Sequence, residues 1–266
     1  MKRFSIALLA LLSAAGSQAL AHDLSAYRMI DLTHSFNEKT VYWPTDTQGF
    51  KLEQKAHGKT DTGFFYAANA FCTAEHGGTH LDAPLHFAEG KRSTEQIPLR
   101  QLIAPAVVID VSKQAAGDRD YRLSREDVLK FEKRHGKIAP GTIVILRTGW
   151  SKYWPDRKKY LGDDTPGDAS KLSFPSFGAE AAKLLVEERK VAMLGVDTAS
   201  IDYGRSKDFI VHRTAAAQDV AGLENLTNLE KLPAIGATVI ALPMKIEGGT
   251  GGPTRVVALI PKSGSR

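Results

Sequence analysis

Residues 76–86 of the chain are HGGTHLDAPLH and place three of its eight histidines within eleven positions. Gly77 and Gly78 weaken a helix at one end of this stretch, and Pro84 blocks it at the other, so an extended conformation is favoured. Side chains of a strand alternate between its two faces, so even-numbered positions share one face. Four candidate ligands stand at such positions: His76, His80, Asp82 and His86. The stretch therefore predicts a shared site, with the glycines supplying a turn that brings the first histidine closer.

The ligand types in this stretch indicate a metal. Imidazole nitrogen and carboxylate oxygen favour Zn²⁺, Mn²⁺ or Fe²⁺. A site with few protein ligands leaves a position for water, and coordination lowers the pKa of that water toward neutrality. A structural metal, or a cluster of hydrogen-bonded core histidines, is the alternative that spacing leaves open. The sequence contains no G-x-S-x-G elbow, P-loop or G-x-G-x-x-G motif that would favour another catalytic scheme.

Outward from this stretch, short apolar or β-branched runs with the length of strands recur along the chain. They lie at 29–32, 64–71, 106–111, 142–147, 191–196, 237–242 and 255–260. Two helices are predicted, one starting at the capping-box-like Ser124 and one over 177–189 with Ser176 available as N-cap. No repeat or linker divides the chain, so we expect one mixed α/β domain. Residues 151–173 form a loop long enough to be a lid or a partner contact.

The N-terminus has the order of a secretory signal peptide. Lys2 and Arg3 precede an apolar run over 6–15, and small residues end at Ala21. That run is about half the length of a membrane-spanning helix, which needs roughly 20 residues. We therefore expect residues 1–21 to be removed, no later membrane segment, and a domain over 22–266 that is periplasmic or secreted.

Charge and cysteine content set further bounds. Removing Lys2 and Arg3 would lower the net charge of +5 to +3, and the remaining basic residues are scattered among acids, so no nucleic-acid partner is expected. Cys72 is the only cysteine, so the chain has no internal disulfide. We expect its thiol to be a buried small apolar group rather than a nucleophile.

The central stretch resembles the H-x-G-T-H-x-D-x-P-x-H signature of the cyclase family of metal-dependent hydrolases. That family includes bacterial kynurenine formamidases and isatin hydrolases. Supporting segments in the same order are IDLTH at 30–34, LRTGW at 146–150, GVDTASID at 195–202 and LPMKIEGGTG at 242–251. The resemblance covers most of the chain after residue 21. It implies a compact, β-rich α/β single domain of the swivelling β/β/α type that forms dimers or tetramers, with a neighbouring subunit able to line the pocket.

The resemblance also implies roles for individual residues. His76, His80 and Asp82 would bind one metal, and Asp82 would bridge to a second metal held by His212 and Glu224. In this family the formamidases hold pairs of zinc ions, and isatin hydrolases hold a single manganese ion. The resemblance therefore leaves open whether each subunit binds one ion or two, and whether the ions are Zn or Mn. His86 would be the general acid/base, because an imidazole exchanges protons near neutral pH. If His86 is instead a ligand, the mechanism changes but the hydrolase assignment stands.

Two further groups of residues stand near the predicted site. Four aromatic residues could form a pocket for a flat substrate, or could equally belong to the core or an interface. They are Trp43, Phe64, Phe65 and Tyr66. Asp197 and Asp202 follow a predicted strand, and structural hydrogen bonding is the favoured interpretation for both.

Together these features predict hydrolysis of an amide C–N bond in a small aromatic substrate. The candidates are an N-formylated arylamine such as N-formylkynurenine and a strained cyclic amide such as isatin. Two alternatives stay open: a secreted metal-binding protein without turnover, and a hydrolase of lactones or other cyclic esters. The export signal motivates the first of these, since tryptophan catabolism is expected in the cytoplasm.

Overall fold

The structure is a computed structural model that describes residues 24–262. The signal peptide predicted over 1–21 lies outside this range. Within the described residues, none of the helices has the length and apolar character required to cross a membrane.

Twelve strands and six α-helices, joined by loops and short 3₁₀ turns, make up the described chain. The strands are β1 Tyr27–Asp31, β2 Lys51–Lys59, β3 Phe65–Cys72, β4 His80–Asp82, β5 Ile103–Asp110, β6 Arg122–Leu123, β7 Ile143–Arg147, β8 Ser176–Phe177, β9 Met193–Val196, β10 Ala221–Glu224, β11 Ala237–Pro243 and β12 Gly251–Pro261. The helices are α1 Leu99–Leu102, α2 Ser112–Gly117, α3 Arg125–His135, α4 Arg157–Leu161, α5 Ala179–Lys183 and α6 Ile210–Ala217. A π-helical turn, Leu184–Glu188, continues α5.

Seven strands close into a barrel in the order β12, β11, β5, β7, β9, β10 and β4, because β4 pairs back onto β12. The run from β5 through β10 is parallel, and the other pairings are antiparallel. Strand β12 is long enough to pair with β4 at 251–253 and with β1 at 257–261. The chain is therefore the mixed α/β, β-rich single domain that the sequence predicts.

Alternation along β7 separates two hydrophobic cores. Ile143 and Ile145 belong to the cluster that fills the barrel, whereas Val144 and Leu146 belong to the cluster under the helices. Successive side chains of a strand point to opposite faces, so one four-residue apolar run serves both cores. Each fully buried aliphatic side chain contributes about 1.5–3 kcal/mol relative to exposure. The barrel is thus covered on both faces.

The helix predicted at Ser124 is confirmed. The Ser124 hydroxyl accepts a hydrogen bond from the backbone N–H of Asp127, and the Asp127 carboxylate accepts from the backbone N–H of Ser124. The second helix begins later than predicted, because Ser176 and Phe177 pair with β6 and Gly178 takes the N-cap position. Ser176 is therefore not the N-cap.

Residues 151–173 are partly folded rather than an open loop. They contain α4, whose Tyr160 and Leu161 are fully buried in a third apolar cluster with Leu172 and Trp150. The Trp150 indole N–H donates to the carbonyl oxygen of Tyr160 at 2.8 Å. This packing fixes α4 and the end of the segment near Leu172 against the domain.

Strands β2 and β3 form a separate two-stranded sheet, here called the hairpin arm. The prediction that Cys72 is buried is wrong: it lies exposed at the end of β3, where the Gln48 amide donates to its sulfur. Since the arm does not join the barrel sheet, its strands lack the covering layer that would bury such a residue.

Candidate metal centre

The site is built where β4 meets β10. His80 and Asp82 are two positions apart on β4, so their side chains share a face, and Leu81 between them points into the barrel core. Glu224 lies directly across from His80, and Gly222 lies across from Asp82. A Cβ on Gly222 would lie 3.3 Å from Oδ2 of Asp82, so glycine leaves this carboxylate room.

Two groups of ligand atoms converge on this face. Asp82 Oδ1 lies 2.6 Å from His76 Nδ1 and 3.1 Å from His80 Nε2. Asp82 Oδ2 lies 3.1 Å from Nε2 of His212, which comes from α6, and that nitrogen lies 3.2 Å from Glu224 Oε1. Within each group the candidate ligand atoms lie within 4.8 Å of one another. The structure thus brings all five sequence-predicted ligands together, with Asp82 common to both groups.

Each imidazole is held by a hydrogen bond from the nitrogen that faces away from the centre. His80 Nδ1 lies 2.9 Å from the carbonyl oxygen of Gly78, and His212 Nδ1 lies 2.7 Å from Oδ2 of Asp202. His76 Nε2 lies 2.9 Å from the hydroxyl oxygen of Thr250. A carbonyl or carboxylate can only accept, so Nδ1 of His80 and of His212 carries a proton, and Nε2 is the nitrogen that faces the centre and would bind a metal.

The electrostatics of the site require positive charge between its carboxylates. Burial lowers the pKa of His80, but the charge and hydrogen bond of Asp82 and the charge of Glu224 outweigh burial and raise the pKa to about 9. Burial raises the pKa of Glu224, and the Asp82 charge raises it further. A divalent cation among these donors satisfies the same buried carboxylates, so the donor set of three imidazoles and two carboxylates fits the implied metal.

His86 stands beside this centre rather than in it. It ends a 3₁₀ turn, Pro84–His86, and its ring stacks on His76 with centroids 3.8 Å apart. Neither candidate ligand group includes it, and its ring nitrogens make no hydrogen bond with residues 24–262. Burial lowers the pKa of His86 to about 4, so the imidazole is neutral at pH 7. A neutral ring without a partner can accept a proton.

A cleft of about 310 Å³ opens over the centre. Its aromatic wall is formed by Trp43, Phe87 and Phe209, with centroids of Phe87 and Phe209 5.2 Å apart and those of Trp43 and Phe209 6.4 Å apart. Of the four aromatic residues predicted to line a pocket, the structure places only Trp43 here.

The other three lie on or beside the hairpin arm and are exposed: Phe64, Phe65 and Tyr66. The three residues are consecutive aromatic residues in the sequence, but the sequence does not show that this sheet stays outside the barrel. Phe87 and Phe209 were missed. Their available signals were weak: one directly follows His86, and the other stands three positions before His212, where it adopts the left-handed conformation with φ 47°.

The interpretation of Asp197 as structural agrees with its contacts. Its oxygens accept hydrogen bonds from the N–H and hydroxyl of Thr148 and from the N–H groups of Gly149 and Trp150, at 2.7–3.0 Å. They fix the turn after β7 and touch none of the candidate ligands.

Known proteins are similar to this chain in both sequence and fold. A family model described as "Putative cyclase" matches residues 30–203. An isatin hydrolase from Roseibium aggregatum is 38% identical over 209 residues, covering 76% of this chain and 78% of that protein. A kynurenine formamidase from Salinibacter ruber is 26% identical over 229 residues, covering 86% and 96%. The structure of isatin hydrolase A from Ralstonia solanacearum superposes with a TM-score of 0.81 at 34% identity, covering 89% of this chain and 93% of that one.

Proposed function

The chain belongs to the cyclase family, and we propose that it is a metal-dependent hydrolase that cleaves the amide C–N bond of a small aromatic substrate. One observation carries the proposal: three imidazoles and two carboxylates converge at the floor of a cleft with an aromatic wall. A closed structural metal site would not place its donors beneath such a cleft. This feature favours an enzyme over a secreted metal-binding protein without turnover.

His76, His80 and Asp82 would hold one ion, and Asp82, His212 and Glu224 a second. Zinc and manganese both suit this donor set. When bound, the metal supplies a Lewis acid that polarises a carbonyl and makes water acidic enough to react near neutral pH. The protein itself fixes the three imidazole rings by hydrogen bonds from the nitrogen of each ring that faces away from the centre. It also excludes bulk water from His80 and Glu224, which are buried.

His86 is the group available to move protons. Its neutral ring adjoins the centre and lies free of hydrogen bonds with described residues, so it can accept a proton as water attacks the amide carbonyl carbon. The C–N bond then breaks, and the same ring returns that proton to the departing nitrogen. A carboxylic acid and an amine result, so one water is consumed, and the acid then releases its remaining proton to solvent to give the carboxylate.

The substrate class follows from the shape and chemistry of the cleft. A volume of about 310 Å³ lies at the small end of ligand pockets and suits one compact ring system. The rings of Trp43 and Phe209 offer stacking surfaces for a planar bicyclic molecule. Identity to the isatin hydrolase is also higher than identity to the kynurenine formamidase. We therefore place an isatin-type cyclic amide ahead of N-formylkynurenine.

The test is a substrate screen with purified, metal-loaded protein. Isatin, N-formylkynurenine and an aromatic lactone are compared in wild type, His86→Ala and the control His135→Ala, which removes an exposed histidine of α3. We expect isatin turnover to fall about 10²- to 10⁴-fold in His86→Ala and to stay unchanged in the control. Equal turnover in His86→Ala would remove His86 from the mechanism. Failure to hydrolyse any substrate with metal bound would favour the metal-binding alternative, and lactone turnover alone would favour the cyclic ester reaction.

We also propose that the protein acts after export, as a periplasmic or secreted enzyme cleaved after Ala21. The support is the order of basic, apolar and small residues at the N-terminus. N-terminal sequencing of protein recovered from the periplasmic fraction and the medium tests this. A mature chain that begins at His22 is expected, and an intact chain confined to the cytoplasm would contradict it.

A homo-oligomer is the third part of the proposal. The hairpin arm exposes large apolar side chains: Leu52, Phe65, Tyr66 and Phe71. Phe71 pairs with Leu52 across the two strands. Since a two-stranded sheet is only marginally stable in water, a second copy of the chain packed on these side chains would stabilise it.

A further inference from the structure

Asp202 lies between β9 and α6 and holds the first turn of α6. It is 0% exposed, although aspartate is almost never fully buried without partners. Its Oδ1 accepts from the backbone N–H of Val211 at 3.0 Å, and its Oδ2 accepts from the backbone N–H of His212 at 3.0 Å. The same Oδ2 lies 2.7 Å from His212 Nδ1. One carboxylate therefore fixes both the backbone and the ring of a candidate ligand.

The start of α6 depends on this carboxylate. The first N–H groups of a helix have no partner within the helix, and a neighbouring side chain usually accepts from them. Phe209 occupies the N-cap position in the left-handed conformation and has no side chain that can accept. Asp202 takes over that role from seven positions earlier, and its negative charge suits the N-terminus of a helix. The backbone of His212 is thereby anchored to the loop that contains Asp202.

The ring contact decides which nitrogen of His212 faces the metal centre. An ionised carboxylate can only accept a hydrogen bond, so Nδ1 carries the proton. Nε2 is then the nitrogen that faces the centre, 3.1 Å from Asp82 Oδ2 and 3.2 Å from Glu224 Oε1, and a bound metal would take its lone pair there. We propose that Asp202 is a positioning residue that caps α6 and selects the His212 tautomer able to bind metal. This inference rests on the proposed metal site and adds a residue outside its ligand set.

The exchange Asp202→Asn separates this role from a merely structural one. Asparagine has nearly the same shape, and its amide oxygen can still accept from a backbone N–H of α6. Its amide nitrogen faces a backbone donor in either orientation, the N–H of Val211 at the Oδ1 position or that of His212 at the Oδ2 position. At the Oδ2 position it would also donate to His212 Nδ1, so the ring proton would move to Nε2 and block coordination there; at the Oδ1 position the bond that holds Val211 would be lost. The same exchange behind the histidine of serine proteases produces the wrong tautomer and a loss of about 10⁴ in rate.

Asp197 provides a matched control. It is also buried, follows the same strand and accepts four hydrogen bonds, but none comes from a candidate ligand. Asp197→Asn therefore disturbs a buried carboxylate without changing the His212 tautomer. We expect it to lower thermal stability and leave Zn²⁺ affinity unchanged.

The experiment measures Zn²⁺ affinity by competition with a chromogenic chelator, and the melting temperature of metal-free protein, for wild type and both variants. We expect about 10- to 100-fold weaker binding in Asp202→Asn, with its fold retained. Two-bond ¹H–¹⁵N NMR of Zn²⁺-loaded wild type should show the His212 proton on Nδ1. This spectrum decides the matter even if Asp202→Asn fails to fold.

Three results would overturn the inference: wild-type affinity in folded Asp202→Asn, an equal affinity loss in Asp197→Asn, or a His212 proton on Nε2 in loaded wild type. If wild-type protein binds no Zn²⁺, Mn²⁺ is tested in the same competition. Failure with both ions overturns the proposed function and this inference together. Tight binding by wild type and folded Asp202→Asn alike overturns the inference alone.

Discussion

Substitution of Gly251 by alanine should weaken metal binding by pushing one ligand out of place. Gly251 pairs with Asp82 at the edge of β4, and His76 lies directly over it. A Cβ at position 251 would lie 2.6 Å from Cε1 of His76 and 2.6 Å from the carbonyl oxygen of Leu81. Carbon atoms pack at about 3.5 Å, so the imidazole would have to retreat by about 0.9 Å.

A retreat of that size would lengthen the 2.6 Å contact between His76 Nδ1 and Asp82 Oδ1 to at most about 3.5 Å, the limit reached if the ring moves directly away from Asp82. Metal ligands tolerate deviations of only about 0.2 Å, so we expect Zn²⁺ affinity to fall about 10- to 100-fold. The added methyl group should also cost about 1–3 kcal/mol of stability through overpacking. Gly251 therefore serves the site by having no side chain.

The assay compares Zn²⁺ affinity, by chelator competition, in wild type, Gly251→Ala and Gly252→Ala. Gly252 is the matched control, because the nearest atoms to its added Cβ would be Met244 O at 3.4 Å, Ile246 Cδ1 at 3.6 Å and Met244 N at 3.8 Å, which are ordinary van der Waals distances. The control should bind Zn²⁺ as wild type does. Binding by folded Gly251→Ala as tight as that of wild type, or an equal loss of affinity in both variants, would contradict this prediction.

Three further predictions concern stability and assembly. Removing metal with a chelator should lower the melting temperature: at a free Zn²⁺ concentration 100 times its Kd, binding stabilises by about 2.7 kcal/mol, which is roughly 5–11 °C for a chain of this size. Calorimetry that finds equal melting temperatures would contradict a metal bound to the native fold. Glu132→Gln should lower the unfolding free energy at pH 7 by about 2 kcal/mol, because two hydrogen bonds from Arg189 lower the pKa of this carboxyl. The folded pKa lies below the unfolded value, so this stabilisation is present above about pH 4.5 and is lost as pH falls through the folded pKa; denaturation should show the two proteins converging in acid, and a constant difference would oppose the idea. Phe65→Ser should reduce the mass seen in sedimentation equilibrium, whereas Leu99→Ser, which alters a similarly exposed apolar residue of α1, should not; an unchanged mass for Phe65→Ser would exclude the hairpin arm as the interface.

The sequence predicted the central site from local periodicity. His80 and Asp82 share a face because they are two positions apart on β4, as the alternation requires. The strand is shorter than the predicted extended stretch. Gly78, with φ 58°, lies in the turn that precedes β4, and His86 follows in a 3₁₀ turn. The even-numbered positions were thus the right signal, although only part of the stretch is a strand.

His212 and Glu224 could not be found from periodicity. They are 130 and 142 positions from Asp82, and they reach it only because β10 pairs with β4 and α6 packs beside them. Family resemblance supplied both residues. Phe209 could not be predicted for a different reason. Its left-handed backbone conformation depends on tertiary contacts, and bulky residues rarely adopt that conformation, so the sequence does not indicate it.

The sequence predicted those strands of the fold that are continuous apolar runs. Buried strands such as β7 and β9 were visible as continuous apolar segments. Strand β2, KLEQKAHGK, was missed, because a strand of the hairpin arm has no face in the core and shows no apolar alternation. The prediction that Cys72 is buried was wrong for the same reason, because Cys72 lies in the hairpin arm. A strand exposed to solvent on both faces has little hydrophobic alternation from which it could be predicted.

The most direct test of the central claim is anomalous diffraction from crystals of the protein loaded with Zn²⁺ and, separately, Mn²⁺. We expect an anomalous peak at about 2.0–2.3 Å from both His80 Nε2 and Asp82 Oδ1, with His76 completing its coordination. No peak with either ion between these three side chains, in crystals where the ion binds elsewhere, would contradict it.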